Sequence, residues 1–245
     1  FALAVVHPGA GNIGGGGFMV IRLADGTVTT IDFRETAPAA AFRDMFLDDS
    51  LIVIPGKSWQ TSWAAGVPGS VAGFGLAHEK YGSQKWQKLL IPALELASTG
   101  FPLDYQNMMY FNHPYYQEYL SNDTESAKIF SKEEPFILYQ TFIQKKLGET
   151  LERIANNGWT EFYTGKTAGM IENCMQRTNG LITKEDLQNY HAIERNPISF
   201  KYREYEVHSM PPASSGGITI AGILNQLENI DLDSLDYHSA QHIHF

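Results

Sequence analysis

The chain has 245 residues, of which 43% are hydrophobic and 18% are charged, so it is long and apolar enough to bury a sizeable core. Its formal net charge of −9 argues against nucleic acid and anionic membrane surfaces as partners, because both attract basic proteins. No apolar run approaches the roughly 18 residues of a membrane-spanning helix, and the single cysteine, Cys174, excludes an intrachain disulfide.

The first predicted element is a β-hairpin that follows a run of four glycines, residues 14–17. An apolar strand is predicted over residues 18–23, Asp25-Gly26 is a two-residue turn signal, and residues 27–33 form the returning strand. The glycine run precedes a strand and lacks the lysine of a phosphate-binding loop, so that function is not predicted. Because four glycines carry no Cβ atoms, we expect close packing against a neighbouring backbone.

Arg34 stands at the end of the returning strand. Its guanidinium can hold a carboxylate through two parallel hydrogen bonds, which makes arginine the side chain best suited to bind such a group. The alternative is a surface ion pair with Asp32 or Glu35, which would have little functional meaning.

Helical spacing of apolar residues dominates the rest of the chain. One helix is predicted after a cap at Ser70 and ends at Gly82, and a second covers 85–98 with Leu89 inward, where Pro92 kinks the helix or marks its start. A third is predicted over 141–157 with Ile143 inward, and a fourth over 166–177. Two more are predicted, one after a capping box at 183–186 and one from 216–217 with Ile220 and Ile223 inward. Residues 44–55 are predicted as a surface connection, 57–68 as a short packed turn, 101–119 as irregular structure or a short helix, 123–134 as a loop, and 193–200 and 205–210 as strands. This order indicates a mixed α and β chain without βαβ units.

Three further groups of polar residues have simple structural explanations. Ser214-Ser215-Gly216-Gly217 could bind an anion at a helix start, but a capped helix after Pro211-Pro212 is the favoured interpretation. His238, His242 and His244 have irregular spacing and no accompanying carboxylate or cysteine pattern, so no metal site is predicted. Cys174 lies on the apolar face of a helix and is expected to be a buried, inert thiol.

Several segments occur together in an order typical of one family. They are GGGGF, DFRETAP, GVPGSVAGF (66–74), NGLITKEDLQNYHAIERNPI (179–198) and YEVHSMPPASSGG (205–217). The chain thereby resembles the large subunit of gamma-glutamyltransferases, and the resemblance covers nearly its whole length.

The resemblance implies an α+β fold of the N-terminal nucleophile hydrolase type, a four-layer αββα sandwich of which this chain supplies the large-subunit part. Residues 1–245 are then expected to be a single-domain fragment, truncated at both ends and completed by a small subunit cut from the same precursor. By the same resemblance, Arg34 matches the arginine that binds the α-carboxylate of the gamma-glutamyl group. No metal or organic cofactor is implied, and the family's location suggests the periplasm or secretion.

The family's nucleophile is a threonine that becomes the first residue of the small subunit, in a TTH-type motif, with its own amine as base. Here the only Thr-Thr pair, Thr29-Thr30, precedes Ile31 inside a predicted strand, so no catalytic residue is assigned and the chain alone is expected to be inactive. The complete enzyme would transfer the gamma-glutamyl group of glutathione or related amides to water or an amino acid. A cephalosporin acylase-like or poly-gamma-glutamate-processing relative, or a non-catalytic binding homologue of the same fold, remains an alternative.

Overall fold

The computed structural model describes residues 1–244, except for the side chain of Asp233. The strands are Phe18–Arg22 (β1), Val28–Asp32 (β2), Phe101–Pro102 (β3), Thr141–Phe142 (β4), Ile193–Arg195 (β5), Ile198–Tyr202 (β6) and Tyr205–Ser209 (β7). The α-helices are Ala2–Val6 (α1), Lys57–Gln60 (α2), Ser70–Tyr81 (α3), Trp86–Thr99 (α4), Tyr105–Asn112 (α5), Pro114–Asn122 (α6), Thr124–Phe130 (α7), Lys145–Asn157 (α8), Glu161–Thr164 (α9), Lys166–Arg177 (α10), Lys184–Gln188 (α11), Gly216–Leu227 (α12) and Ala240–His244 (α13). None of these helices is both long and apolar enough to cross a bilayer.

The chain divides into two compact units, one made of Phe1–Gly17 with Phe33–Ala192 and the other of Phe18–Asp32 with the segment from Ile193 onward. The first unit is mostly helical, and its core lies where α4 packs against α8. Apolar residues at helical spacing are buried on both helices: Leu90, Ala93 and Ala97 on α4, and Leu151, Ile154 and Ala155 on α8. A cluster of phenylalanines around Phe111 extends this core.

The second unit contains two antiparallel sheets and α12. In one sheet the strand order is β1-β2-β5, and Asp32 of β2 receives a hydrogen bond from Arg195 of β5 at 2.9 Å. In the other, β6 and β7 form a hairpin against which α12 packs. Antiparallel sheets with separate helices confirm the predicted mixed composition without βαβ units.

Three helix predictions need correction. Residues 124–130 of the predicted 123–134 loop are helical, because the Asp123 carboxylate accepts a hydrogen bond from the Ser126 N–H at 2.8 Å and so caps α7; residues 131–134 are not helical, as predicted. Pro92 does not mark the start of α4, which begins six residues earlier. Because proline has no N–H, the Lys88 carbonyl lacks its helical partner, but Lys88 is exposed and water can bond to this carbonyl. Leu89 of the same helix is 44% exposed and does not face inward.

Other expected positions differ because a neighbouring element takes the buried place. The helix predicted from residue 141 begins at Lys145, since Thr141–Phe142 pairs with β3; Phe142 is buried there and Ile143 is 44% exposed. Residues 193–200 are two strands and not one, because Asn196-Pro197 separates β5 from β6 and proline cannot donate to a ladder. On α12, Ile220 and Ile223 are 44% and 52% exposed, since its main neighbours are β6 and β7 on one side.

Candidate functional site

Arg34 follows β2 by two residues, close to its predicted place at the end of the returning strand. Its side chain is 61% exposed, and its Nε lies 3.4 Å from Oε2 of Glu35. Glu35, one of the two carboxylates expected as ion-pair partners, is therefore a neighbour of Arg34, and the other, Asp32, lies 2.9 Å from Nε of Arg195. An exposed pair of this kind contributes little to stability, because solvent screens it.

The backbone around Arg34 is fixed on both sides. Phe33 exchanges hydrogen bonds with Gly17, at 3.1 and 3.3 Å, and Thr36 exchanges them with Val67, at 2.8 and 3.3 Å. Between these two pairs, the carbonyl of Arg34 accepts a hydrogen bond from the hydroxyl of Tyr190 at 2.8 Å. The guanidinium thus extends from a short backbone segment whose position is determined by three separate parts of the first unit.

The glycine run packs directly against this segment, as predicted. A Cβ added to Gly16 would lie 2.6 Å from the carbonyl oxygen of Phe33 and 2.8 Å from the amide nitrogen of Glu35, closer than a real side chain can approach. The run is itself held in place, because the carbonyl of Gly15 accepts hydrogen bonds from the N–H groups of Gly69 and Ser70 at 2.8 and 2.9 Å. Close backbone packing therefore requires glycine at position 16.

Ser70 has a different role from the predicted helix cap. The N-cap residue of α3 is Gly69, and the Ser70 hydroxyl donates to Oδ1 of Asn12 at 2.6 Å. The same Asn12 oxygen accepts the N–H of Gly15 at 3.0 Å. Sequence reasoning missed Asn12, Ser70 and Tyr190 as supports of Arg34, since they are distant in the chain and no local motif connects them.

A cavity of about 470 Å³ opens beside Arg34 within the first unit. Its lining combines the two charged side chains with mostly apolar ones: Arg34, Glu35, Thr36, Ala37, Pro38, Ala41, Met45, Phe46, Trp63, Ala64, Ala65 and Gly66. A cavity with one cationic fork, one carboxylate and apolar walls suits a small molecule that carries its own charged groups at one end.

One wall of the cavity is tied to the start of α11. The Asp186 carboxylate accepts the N–H of Ala39 at 2.7 Å and, in the predicted capping box, the N–H and hydroxyl of Thr183 at 2.8 and 2.7 Å. Burial raises the pKa of Asp186, but these hydrogen bonds outweigh it and leave the pKa below its ordinary value. The ionised carboxylate therefore anchors residues 37–41.

Among the remaining candidates, Cys174 is half-buried and not fully buried as expected. Ser214 Oγ accepts the Gly216 N–H at 3.2 Å just before α12, whose N-cap residue, Ser215, makes no side-chain capping bond. Among residues 1–244 no group of three or more histidine, cysteine or acidic side chains is arranged to hold a metal ion, and the three histidines near the end form no such site. The hydroxyls of Thr29 and Thr30 bond to Glu194 and to the Arg195 carbonyl, within the β2–β5 pair.

The comparison with known proteins decides the family. A sequence model described as gamma-glutamyltranspeptidase matches residues 1–245. The chain belongs to the gamma-glutamyltranspeptidase family. This confirms the family predicted from the glycine run, DFRETAP and the later segments.

Relatives and solved structures agree with that membership. The chain is 51% identical over 241 residues to a glutathione hydrolase proenzyme from Escherichia coli K12, covering 98% of this chain and 41% of that protein. It is 43% identical to the glutathione hydrolase proenzyme of Pseudomonas sp. strain A14, covering 100% of this chain and 43% of the relative. The crystal structure of Helicobacter pylori gamma-glutamyltranspeptidase superposes with a TM-score of 0.95 at 43% identity, covering 99% of this chain and 70% of that one.

These matches establish the fold class and delimit what the chain represents. A gamma-glutamyltranspeptidase structure with so high a TM-score confirms the predicted α+β fold of the N-terminal nucleophile hydrolase type. The chain spans about two fifths of the length of the curated relatives that it matches. Activity, substrates and partners therefore concern the whole protein.

Proposed function

We propose that the complete protein cleaves the gamma-glutamyl amide bond of glutathione and related compounds. It passes the gamma-glutamyl group to water or to an amino acid or peptide. Family membership over the whole chain and the names of its relatives, glutathione hydrolase proenzymes, support this activity. Gamma-glutamyl compounds are the substrates proposed, and no cofactor enters the proposal.

In this proposal Arg34 binds the α-carboxylate of the gamma-glutamyl donor. The observation that supports it is the placement of Arg34: a guanidinium on a backbone held by Gly17, Val67 and Tyr190, at a cavity of about 470 Å³. The α-carboxylate lies several bonds from the amide that breaks, so a charge-assisted contact there positions the donor without touching the reacting carbonyl. Glu35 beside the guanidinium keeps this end of the cavity from being purely cationic.

The nucleophile is proposed to be a threonine in a small subunit that comes from the same precursor. Its amine would take the proton of its hydroxyl, and the acyl group would pass through an ester on that oxygen. The proenzyme names of the relatives support a processed precursor. On this view residues 1–245 belong to the large subunit, as one domain completed by its partner, and the protein acts in the periplasm or outside the cell.

The test is donor selectivity in the complete, self-cleaved protein. Arg34→Ala removes a hydrogen bond between charged groups worth about 1.5–3 kcal/mol, so kcat/KM for a donor with a free α-carboxylate should fall about 10- to 150-fold. Arg34→Lys keeps the charge but loses the two-pronged contact, so its kcat/KM for this donor should lie between those of wild type and Arg34→Ala. A donor whose α-carboxylate is amidated should lose little in either variant.

Arg43→Ala is the matched control. Arg43 also pairs with the acidic residue that follows it, with Nε 3.6 Å from Oδ1 of Asp44, but it does not line the cavity. Its loss should leave the preference for the free carboxylate unchanged. The assignment of Arg34 fails if folded, self-cleaved Arg34→Ala keeps the wild-type preference, or if wild type has none. An acylase-like relative would instead turn over donors that lack the glutamyl carboxylate.

A further inference from the structure

Tyr190 is a buried residue that the proposed chemistry does not use directly. It is 5% exposed, and its hydroxyl donates to the carbonyl of Arg34 at 2.8 Å. A buried phenol needs a partner, but this phenol has its partner on the one residue that is proposed to bind the substrate.

The ring of Tyr190 is held by a second tyrosine. It stacks on Tyr163 with ring centroids 5.7 Å apart and planes inclined by 12°. The hydroxyl of Tyr163 donates to the carbonyl of Pro68 at 2.9 Å and accepts the N–H of Ala72 at 3.0 Å. Burial raises the pKa of Tyr163, so its phenol stays neutral and keeps its proton. The Tyr163 ring thus supports the ring of Tyr190, whose hydroxyl alone reaches the Arg34 backbone.

The chain makes room for the Tyr190 hydroxyl at Gly69. A Cβ added to Gly69 would lie 2.1 Å from that hydroxyl and 2.1 Å from the carbonyl oxygen of Phe33. Because no larger residue fits there, the hydroxyl can reach the Arg34 carbonyl between the two backbone pairs at Phe33 and Thr36. Without the Tyr190 hydroxyl, the Arg34 carbonyl would lose this side-chain hydrogen bond, while Phe33 and Thr36 would keep their backbone hydrogen bonds.

We propose that Tyr190 is a positioning residue for Arg34, whose hydroxyl fixes the place at which the guanidinium meets the donor's α-carboxylate. This rests on the proposed role of Arg34. A loosened Arg34 backbone spreads the guanidinium over several positions, and the donor must then order it on binding. The effect should appear in KM for donors with the carboxylate and be nearly absent for donors without it.

The experiment uses the complete, self-cleaved protein and two donors, one with a free and one with an amidated α-carboxylate. Tyr190→Phe should raise KM for the free-carboxylate donor about 2- to 10-fold, the range expected for one neutral hydrogen bond, with kcat little changed. Tyr163→Phe is the control, since it keeps the ring that stacks on Tyr190 but removes a buried hydroxyl that bonds to Pro68 and Ala72 and not to Arg34. It should lower stability but leave the donor preference unchanged.

Two further measurements separate positioning from plain stability. In the Arg34→Ala background, Tyr190→Phe should have no additional effect on donor preference, because there is no guanidinium left to position. Replacement of Tyr190 by 4-aminophenylalanine keeps a donor at the same place and should keep the wild-type preference; it also serves if the Phe variant does not fold.

The outcomes are distinguishable. Equal donor preference in wild type and Tyr190→Phe, with Arg34→Ala impaired, overturns the positioning role and leaves the function of Arg34 intact. The same loss in Tyr163→Phe and Tyr190→Phe also overturns it, as does loss in the 4-aminophenylalanine variant. If wild type itself does not discriminate between the donors, the proposed role of Arg34 fails, and the inference about Tyr190 fails with it.

Discussion

The close contact between the glycine run and the Arg34 segment can be tested with two alanines in one motif. Gly16→Ala places a methyl group 2.6 Å from the Phe33 carbonyl oxygen and 2.8 Å from the Glu35 amide nitrogen. Gly14→Ala places the same group where no heavy atom lies within 4 Å. Neither glycine has positive φ, so backbone strain does not distinguish them.

The two substitutions should change stability in opposite directions. Both reduce the conformational freedom of the unfolded chain, which stabilises by about 0.4–1 kcal/mol where the native site accepts the methyl. At Gly16 two of the three nearest atoms are backbone atoms, which cannot rotate away as the third, Oε2 of Glu35, can, so overpacking should cost about 1–3 kcal/mol. Gly16→Ala should therefore be about 2 kcal/mol less stable than Gly14→Ala, which is itself neutral or slightly stabilised.

Gly16→Ala should also lower activity, because the added methyl group displaces the Arg34 backbone. A misplacement of about 1 Å costs about 100-fold in rate, so a shift of about 0.5 Å in the Arg34 backbone would cost about 10-fold in kcat/KM for a carboxylate-bearing donor. Denaturant unfolding and donor kinetics on the complete protein measure both effects. Equal stability and equal kinetics in the two variants would refute the close-packing argument.

Two other outcomes are expected. Residues 1–245 alone should release no nitroaniline from a gamma-glutamyl anilide, because the proposed threonine lies outside them; turnover by the purified chain would contradict this. Asp186→Asn should destabilise the complete protein by about 1 kcal/mol at pH 7, as loss of a helix cap does. Because the folded-state pKa of Asp186 is lowered, the difference in unfolding free energy from wild type should be complete above about pH 3.9, the ordinary aspartate value. It should disappear as the pH falls through the folded-state pKa, and a stability difference that persists at lower pH would contradict this.

Local signals in the sequence determined several elements of this protein. The Asp25-Gly26 turn specified the β1–β2 hairpin, and the Thr183 capping box specified the start of α11. Helical spacing placed α10 at its observed bounds, Lys166–Arg177. These features depend on residues within a few positions of one another, so propensity, capping and turn chemistry are sufficient. The motif order also identified the family, and it singled out Arg34 as a candidate.

Tertiary packing decided what supports that candidate. No local pattern indicates that Tyr190, 156 positions after Arg34, bonds to its carbonyl, or that Gly69 is small to admit that hydroxyl. Packing also placed Ile143 outside and Phe142 inside, since the apolar spacing of the segment fits a helix as well as the observed strand and helix. Such contacts depend on which distant segments meet, and a one-dimensional pattern records the period of a segment but not its neighbours.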